Sequence, residues 1–159
     1  MRESGIIRRA AFGFVVLALL VLTGGEALAQ SGPLQYYAVT PCRVADTRSG
    51  SGFPAGYGSP SIGGGAQRTF VIWNRCGIPS TAVAVSFNFT VWAPVKQGDL
   101  RVFPAGGATP LVSTLNWEAN ILALANAAYV PLGTGGAITV QVDGTGTIDL
   151  FFDVGGYFQ

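Results

Sequence analysis

The chain has 159 residues, 49% of them hydrophobic and only 11% charged, with 23 Gly and 9 Pro. That length fits one domain with a proper core, and sparse charge beside abundant glycine argues against both a helical protein and a disordered one. The formal net charge of +1 leaves no basic field for nucleic acid or an anionic membrane, and the absence of histidine removes Ser-His-Asp and Cys-His nucleophilic sites and the commonest transition-metal ligand sets.

The chain opens with an export signal. Arg2, Arg8 and Arg9 form a basic region, residues 10–22 are an apolar run, and Ala27-Leu28-Ala29 is a small-x-small cleavage site. The apolar run is shorter than the roughly 20 residues that span a bilayer. Residues 1–29 are therefore expected to be a cleaved signal peptide and residues 30–159 a secreted module with no membrane attachment. Export also decides the reading of Cys42 and Cys76, an isolated pair in one small domain, as a disulfide. Closing a loop of that length contributes about 3–4 kcal/mol in the chain-entropy account.

Residues 35–40 read as a first short strand, after which Thr40-Pro41 turns the chain into residues 42–46. Residues 49–65, SGSGFPAGYGSPSIGGG, form the one long loop. Two readings stand for it: a connector, or a ligand-facing loop carrying Phe53 and Tyr57. Residues 67–73 return as a strand with Phe70 and Ile72 on one face, and Cys76-Gly77-Ile78-Pro79 is a turn.

The strongest strand signal follows at residues 82–92, AVAVSFNFTVW. Val83, Val85, Phe87, Phe89 and Val91 alternate with small or polar residues, a period of two that puts one face in a core. Lys96-Gln97-Gly98-Asp99 is a turn, residues 100–103 the returning strand, and residues 104–110 a glycine-rich loop. Residues 112–117 and 122–131 follow as strands; residues 119–128 hold enough Ala and Leu for a short helix, but Asn120 and Asn126 favour extension. The chain closes on an expected hairpin, in which Ile138, Val140 and Val142 face inward from residues 137–142 and Ile148, Leu150, Phe152 and Val154 from residues 147–154. Asp143-Gly144-Thr145-Gly146 is the turn between them. The sum is an all-β, single-domain antiparallel β-sandwich, or a small β-barrel, with one disulfide.

Several stretches in this order carry a resemblance: Thr40–Arg48 (TPCRVADTR), Cys76–Pro79 (CGIP), Asn88–Val91 (NFTV), Ser113–Trp117 (STLNW) and Asp153–Phe158 (DVGGYF). The chain resembles a secreted β-rich module found in extracellular proteins of actinobacteria, acidobacteria and related soil bacteria. There such modules stand alone after a signal peptide, in tandem, or beside secreted enzymes. The resemblance covers nearly all of residues 30–159. It implies an extracellular accessory domain and brings no catalytic activity with it.

Within those motifs Asp46, Arg48 and Asp153 are the embedded charges, with Arg43 just upstream. Asp46 and Arg48 lie two apart in an extended segment, so they point the same way and either pair or grip one polar ligand. An arginine tie that anchors the N-terminal strand to the sheet is the competing structural reading. Asn88, Asn116 and Asn126 interrupt apolar strands and are read as buried amides capping neighbouring loops. Trp73, Trp92 and Trp117 fall near strand ends, with Tyr36, Tyr37, Tyr57 and Tyr157 besides; such rings close the rim of a sandwich or line an open face for sugar stacking. No pair of carboxylates is spaced as a glycosidase needs, and no cofactor or metal set is present. The expected function is a non-catalytic extracellular interaction or structural module. Its candidate ligand residues are Asp46, Arg48, Phe53, Tyr57, Trp117 and Asp153, and its candidate partner an extracellular glycan or cell-surface component. A self-associating surface or matrix subunit pairing through strand edges is the alternative, and a small Asp/Glu hydrolase the remote one.

Overall fold

The computed structural model describes residues 32–159; the expected signal peptide, residues 1–29, lies outside the described residues. Nine strands follow one another: β1 (Tyr36–Asp46), β2 (Ile62–Gly63), β3 (Gln67–Val71), β4 (Ala84–Trp92), β5 (Gly98–Pro104), β6 (Leu115–Trp117), β7 (Ala123–Pro131), β8 (Ala137–Gly144) and β9 (Thr147–Phe158). The only helical turn among the described residues is a short 3-10 segment at Thr134–Gly136. Two sheets form, with strand orders β1-β9-β4-β7 and β3-β8-β5-β6; β2 adds to the end of β9. All pairings are antiparallel, and the sheets stay open rather than closing into a barrel. Of the two expected architectures, the sandwich is the one adopted.

The inward positions of β4 are those its alternation marks. Val85, Phe87, Phe89 and Val91 are buried, and only Val83, ahead of the strand, is partly open. Phe152 on β9 meets Phe87, Phe89 and Phe70, with ring centroids 5.8, 5.3 and 5.1 Å away. Phe70 belongs to the opposite sheet, so this aromatic cluster ties the two layers together. Cys42 on β1 is bridged to Cys76 in the turn after β3. That turn holds Cys76 and Gly77 at positive φ, 52° and 75°.

Four local expectations are corrected. Residues 36–46 are one strand: Thr40-Pro41 forms a bulge, not a turn, with Ala38 opposite Gly156 and Cys42 opposite Val154. A proline suits that site because a bulged residue owes no ladder bond. Residues 100–103 do not return beside β4; β5 crosses to the second sheet. Likewise β8 and β9 are not a hairpin. They lie in different sheets, and their inward side chains, Ile138, Val140 and Val142 from one and Ile148, Leu150, Phe152 and Val154 from the other, join one buried core. Last, the strand expected at residues 112–117 shrinks to Leu115–Trp117: the Thr114 hydroxyl, not a backbone carbonyl, accepts from Val102 N–H at 3.0 Å, and Val112 stands exposed before the ladder begins. The strand expected at residues 122–131 forms at residues 123–131, extended rather than helical.

Phe152→Ala removes the ring at the centre of the cluster and is expected to cost about 3–5 kcal/mol. The measurement is a denaturant midpoint with an unchanged slope; a loss under about 1 kcal/mol would show that the layers are held elsewhere.

Candidate functional site

The outward-facing residues of the first sheet follow from the register. Even-numbered residues of β4 point away from the core. Asn88 therefore lies in one row with Asp153 and Arg43 on one side and Ala127 on the other, and Thr90 lies beside Phe151, Asp46 and Ala125. Past the irregularity at Gly155, Ser86 aligns with Gly156 and Tyr129.

At the centre of this face stands an ion-pair chain. Arg48 donates from Nε to Asp46 Oδ1 at 2.9 Å and from Nη2 to Oδ2 at 2.6 Å. Arg43 donates from Nη1 to Asp46 Oδ2 at 3.1 Å, and from Nε and Nη2 to the two oxygens of Asp153 at 2.8 and 3.1 Å. Both guanidiniums also lie over the Phe151 ring, 4.2 and 4.4 Å from its centroid. The Asp46 carboxyl is nearly fully buried, and the bonds from Arg48 hold its pKa below the usual carboxylate value. The Arg43 guanidinium is pushed further up, chiefly by its bonds to Asp153. Between the arginines Thr47 is wholly buried; its hydroxyl accepts from Leu150 N–H at 2.8 Å and donates to Asp149 at 3.3 Å. Asp46-Thr47-Arg48 thus fastens the end of β1 to β9.

The other candidates take different places. Tyr57 packs beside Phe70, donates its hydroxyl to Val71 O at 2.9 Å and carries the Arg75 guanidinium 3.4 Å over its ring. Phe53, half-buried, sits in the same loop, which Ser51 latches to Asp46 O at 2.7 Å. Trp117 is buried on β6 with its indole N–H on Lys96 O at 2.9 Å. The structure therefore joins Asp46, Arg48 and Asp153 in one network and sets Tyr57, Phe53 and Trp117 apart from it. The asparagines differ from the expectation of buried caps: all three are exposed. Asn126 does bond a loop carbonyl, Thr114 O at 2.7 Å, whereas Asn116 accepts from Ser113 Oγ at 2.9 Å and Asn88 stands open on the sheet face.

Beside the ion-pair chain the same face holds a shallow groove of about 360 Å³, lined by Pro41, Ser86, Asn88, Ala127, Asp153 and Gly155 among others. It continues past Ser86 and Ala127 into a second hollow against Tyr129. Its far end is a ring cluster, in which Phe158 lies 5.1 Å from Tyr36 and 5.3 Å from Tyr129. The Tyr36 hydroxyl bonds Gly155 O at 3.1 Å, and its ring covers Gly156 so closely that a Cβ there would collide with it. A flat polar floor closed by aromatic edges can accept a ligand with alternating apolar faces and hydroxyl rims. Tyr36, Phe158 and Tyr129 come from three strands far apart in the sequence. Tyr36 is among the rings the sequence offers for an open face, and the glycine pair before Tyr157-Phe158 leaves room for it to lie over the strand; Tyr129 carries no such signal.

Asp46→Asn is expected to cost about 1–3 kcal/mol at neutral pH. Because the folded Asp46 carboxyl titrates below its unfolded value, its contribution is complete above about pH 4 and fades as pH falls through the folded value. Stability measured from pH 6 to pH 2 should fall less steeply in the variant; equal slopes would place the acid sensitivity elsewhere. No protein-family model matches the chain, and no curated protein matches it either.

Proposed function

We propose that the protein is a non-catalytic extracellular module, exported by its N-terminal segment, that engages a glycan along the outer face of its first sheet. The observation that carries this reading is the groove over Ser86, Asn88 and Asp153, bounded by the Tyr36–Phe158–Tyr129 rings. Pyranose rings offer apolar faces that stack on such side chains, while their hydroxyls bond amide and carboxylate groups on the floor. Asp153, one of the residues singled out in the sequence, stands in both the ion-pair chain and the groove. Its oxygens are held by Arg43, which orients them without leaving an unpaired charge.

A non-catalytic role accords with how the carboxylates are used. Asp46 and Asp153 are tied to Arg43 and Arg48, and on the second sheet Arg101 lies between Asp99 and Asp143, 3.5 and 2.9 Å away. A hydrolase would need one acid held protonated and another free across a cleft. The Cys42–Cys76 bridge accords with an oxidising compartment.

A panel of soluble and insoluble cell-wall and plant polysaccharides, offered to the purified chain, is expected to include a retained ligand. Asn88→Ala or Tyr129→Ala should then weaken binding about tenfold at unchanged stability, while Tyr57→Ala should affect stability alone. Binding lost with Tyr57 but kept with Asn88 and Tyr129 replaced would refute this face as the site.

A further inference from the structure

The outermost strand of the first sheet is chemically unlike the sandwich's other edges. At its ends Leu132 N–H bonds Val83 O and Ala93 N–H bonds Leu122 O. With the register between, even-numbered residues of β7 exchange their backbone bonds with β4. Ala123, Ala125, Ala127 and Tyr129 therefore turn their N–H and C=O groups outward, away from the sheet. No charged residue occurs anywhere from Ala119 to Val142, and the outward side chains are alanines except Tyr129, which is 73% exposed.

Open edges are ordinarily blunted by charges, prolines, bulges or a covering loop, and the other three are. The β1 edge is broken by the Pro41 bulge, carries Arg43, and is crossed by the disulfide. Along β3, Arg68 bonds Gly58 O and Pro60 O while the Tyr57 hydroxyl takes Val71 O, so the long loop lies over it. In β6 the ladder is only three residues long. Sheet-to-sheet pairing between two folded copies needs an open strand on each, and among the described residues β7 is the one long strand that remains open.

We infer that β7 pairs with β7 of a second copy, antiparallel about a two-fold axis at Asn126, joining the two first sheets into one continuous sheet. In that register Ala123 faces the other copy's Tyr129 and Ala125 its Ala127, so every outward N–H meets an outward C=O. The large ring lies over a small alanine, and like residues meet only at Asn126, whose amide stays on Thr114 O of its own copy. Shifting the centre by one residue in either direction breaks this match. A centre at Ala127 sets Ala123 against Pro131, which has no N–H to give, and one at Ala125 pushes Tyr129 past the end of the strand. The pairing uses up the one open edge on each copy, so assembly stops at two.

Sedimentation of the purified chain over a wide concentration range is expected to show a monomer–dimer equilibrium. Ala125→Pro deletes an outward N–H that β4 does not use, and should raise the dimer dissociation constant at least about tenfold with an unchanged circular dichroism spectrum. Independently, Asn126→Cys places the thiols of two copies directly opposite in a non-hydrogen-bonded pair and should give a covalent dimer on mild oxidation, which Ala123→Cys should not. A wild-type chain that stays monomeric at high concentration, an open-ended assembly, or cross-linking that favours position 123 over 126 would overturn the inference.

Discussion

The structure depends on β9 being hydrogen-bonded on both sides while its side chains from Ile148 to Val154 alternate strictly between interior and surface. It lies between β1 and β4, and Ile148, Leu150, Phe152 and Val154 all point inward to the dry space between the sheets. Such a strand cannot slip by one residue without sending four large apolar side chains into water and Asp149, Phe151 and Asp153 into the core. Burial of those side chains, at about 1.5–3 kcal/mol each, is what fixes the register. The fixed register then decides which groups share the outer face.

From that constraint follows a division between the two faces. On the inner side, rings from both sheets meet around Phe152 and bind the layers together. On the outer side the same strand presents Asp149, Phe151 and Asp153, around which Thr47, Arg43 and Arg48 gather. The arginine network fastens the start of the domain to its last strand, and the disulfide ties β1 to the turn after β3. A rigid outer face results, and the groove beside it needs rigidity, because a site built on strands holds its groups where a loop would not. Gly155 and Gly156 serve the same end: the irregularity at Gly155 realigns β9 with β4, and the missing side chain at Gly156 admits Tyr36.

Much of this was legible in the residues. The alternation in β4, β8 and β9 marks buried and exposed faces, the cysteine pair marks a clamp, and glycines mark the corners. What alternation does not encode is the identity of a strand's neighbour. Asp143-Gly144-Thr145-Gly146 has the composition of a hairpin turn yet carries the chain from one sheet to the other. The expectation of neighbouring charges at Asp46 and Arg48 came from local spacing and appears as a direct pair, whereas Arg43 with Asp153 depends on a contact between the two ends of the domain. Trp117 stands out as a large ring near a strand end and Tyr57 as one on the long loop. Whether a ring faces solvent is set by what packs over it, and that is non-local. Tyr129, placed on the open edge by the strand order, had no such mark.

If β9 holds the first sheet in register and its Phe152 ties the two layers, residue-resolved amide hydrogen exchange will show it. The account predicts that the interior amides of β9 and β4 are the slowest in the chain, open together at the free energy of global unfolding, and lose protection together in Phe152→Ala. A β9 whose amides exchange earlier than those of β3 or β6, or independently of β4, would contradict it.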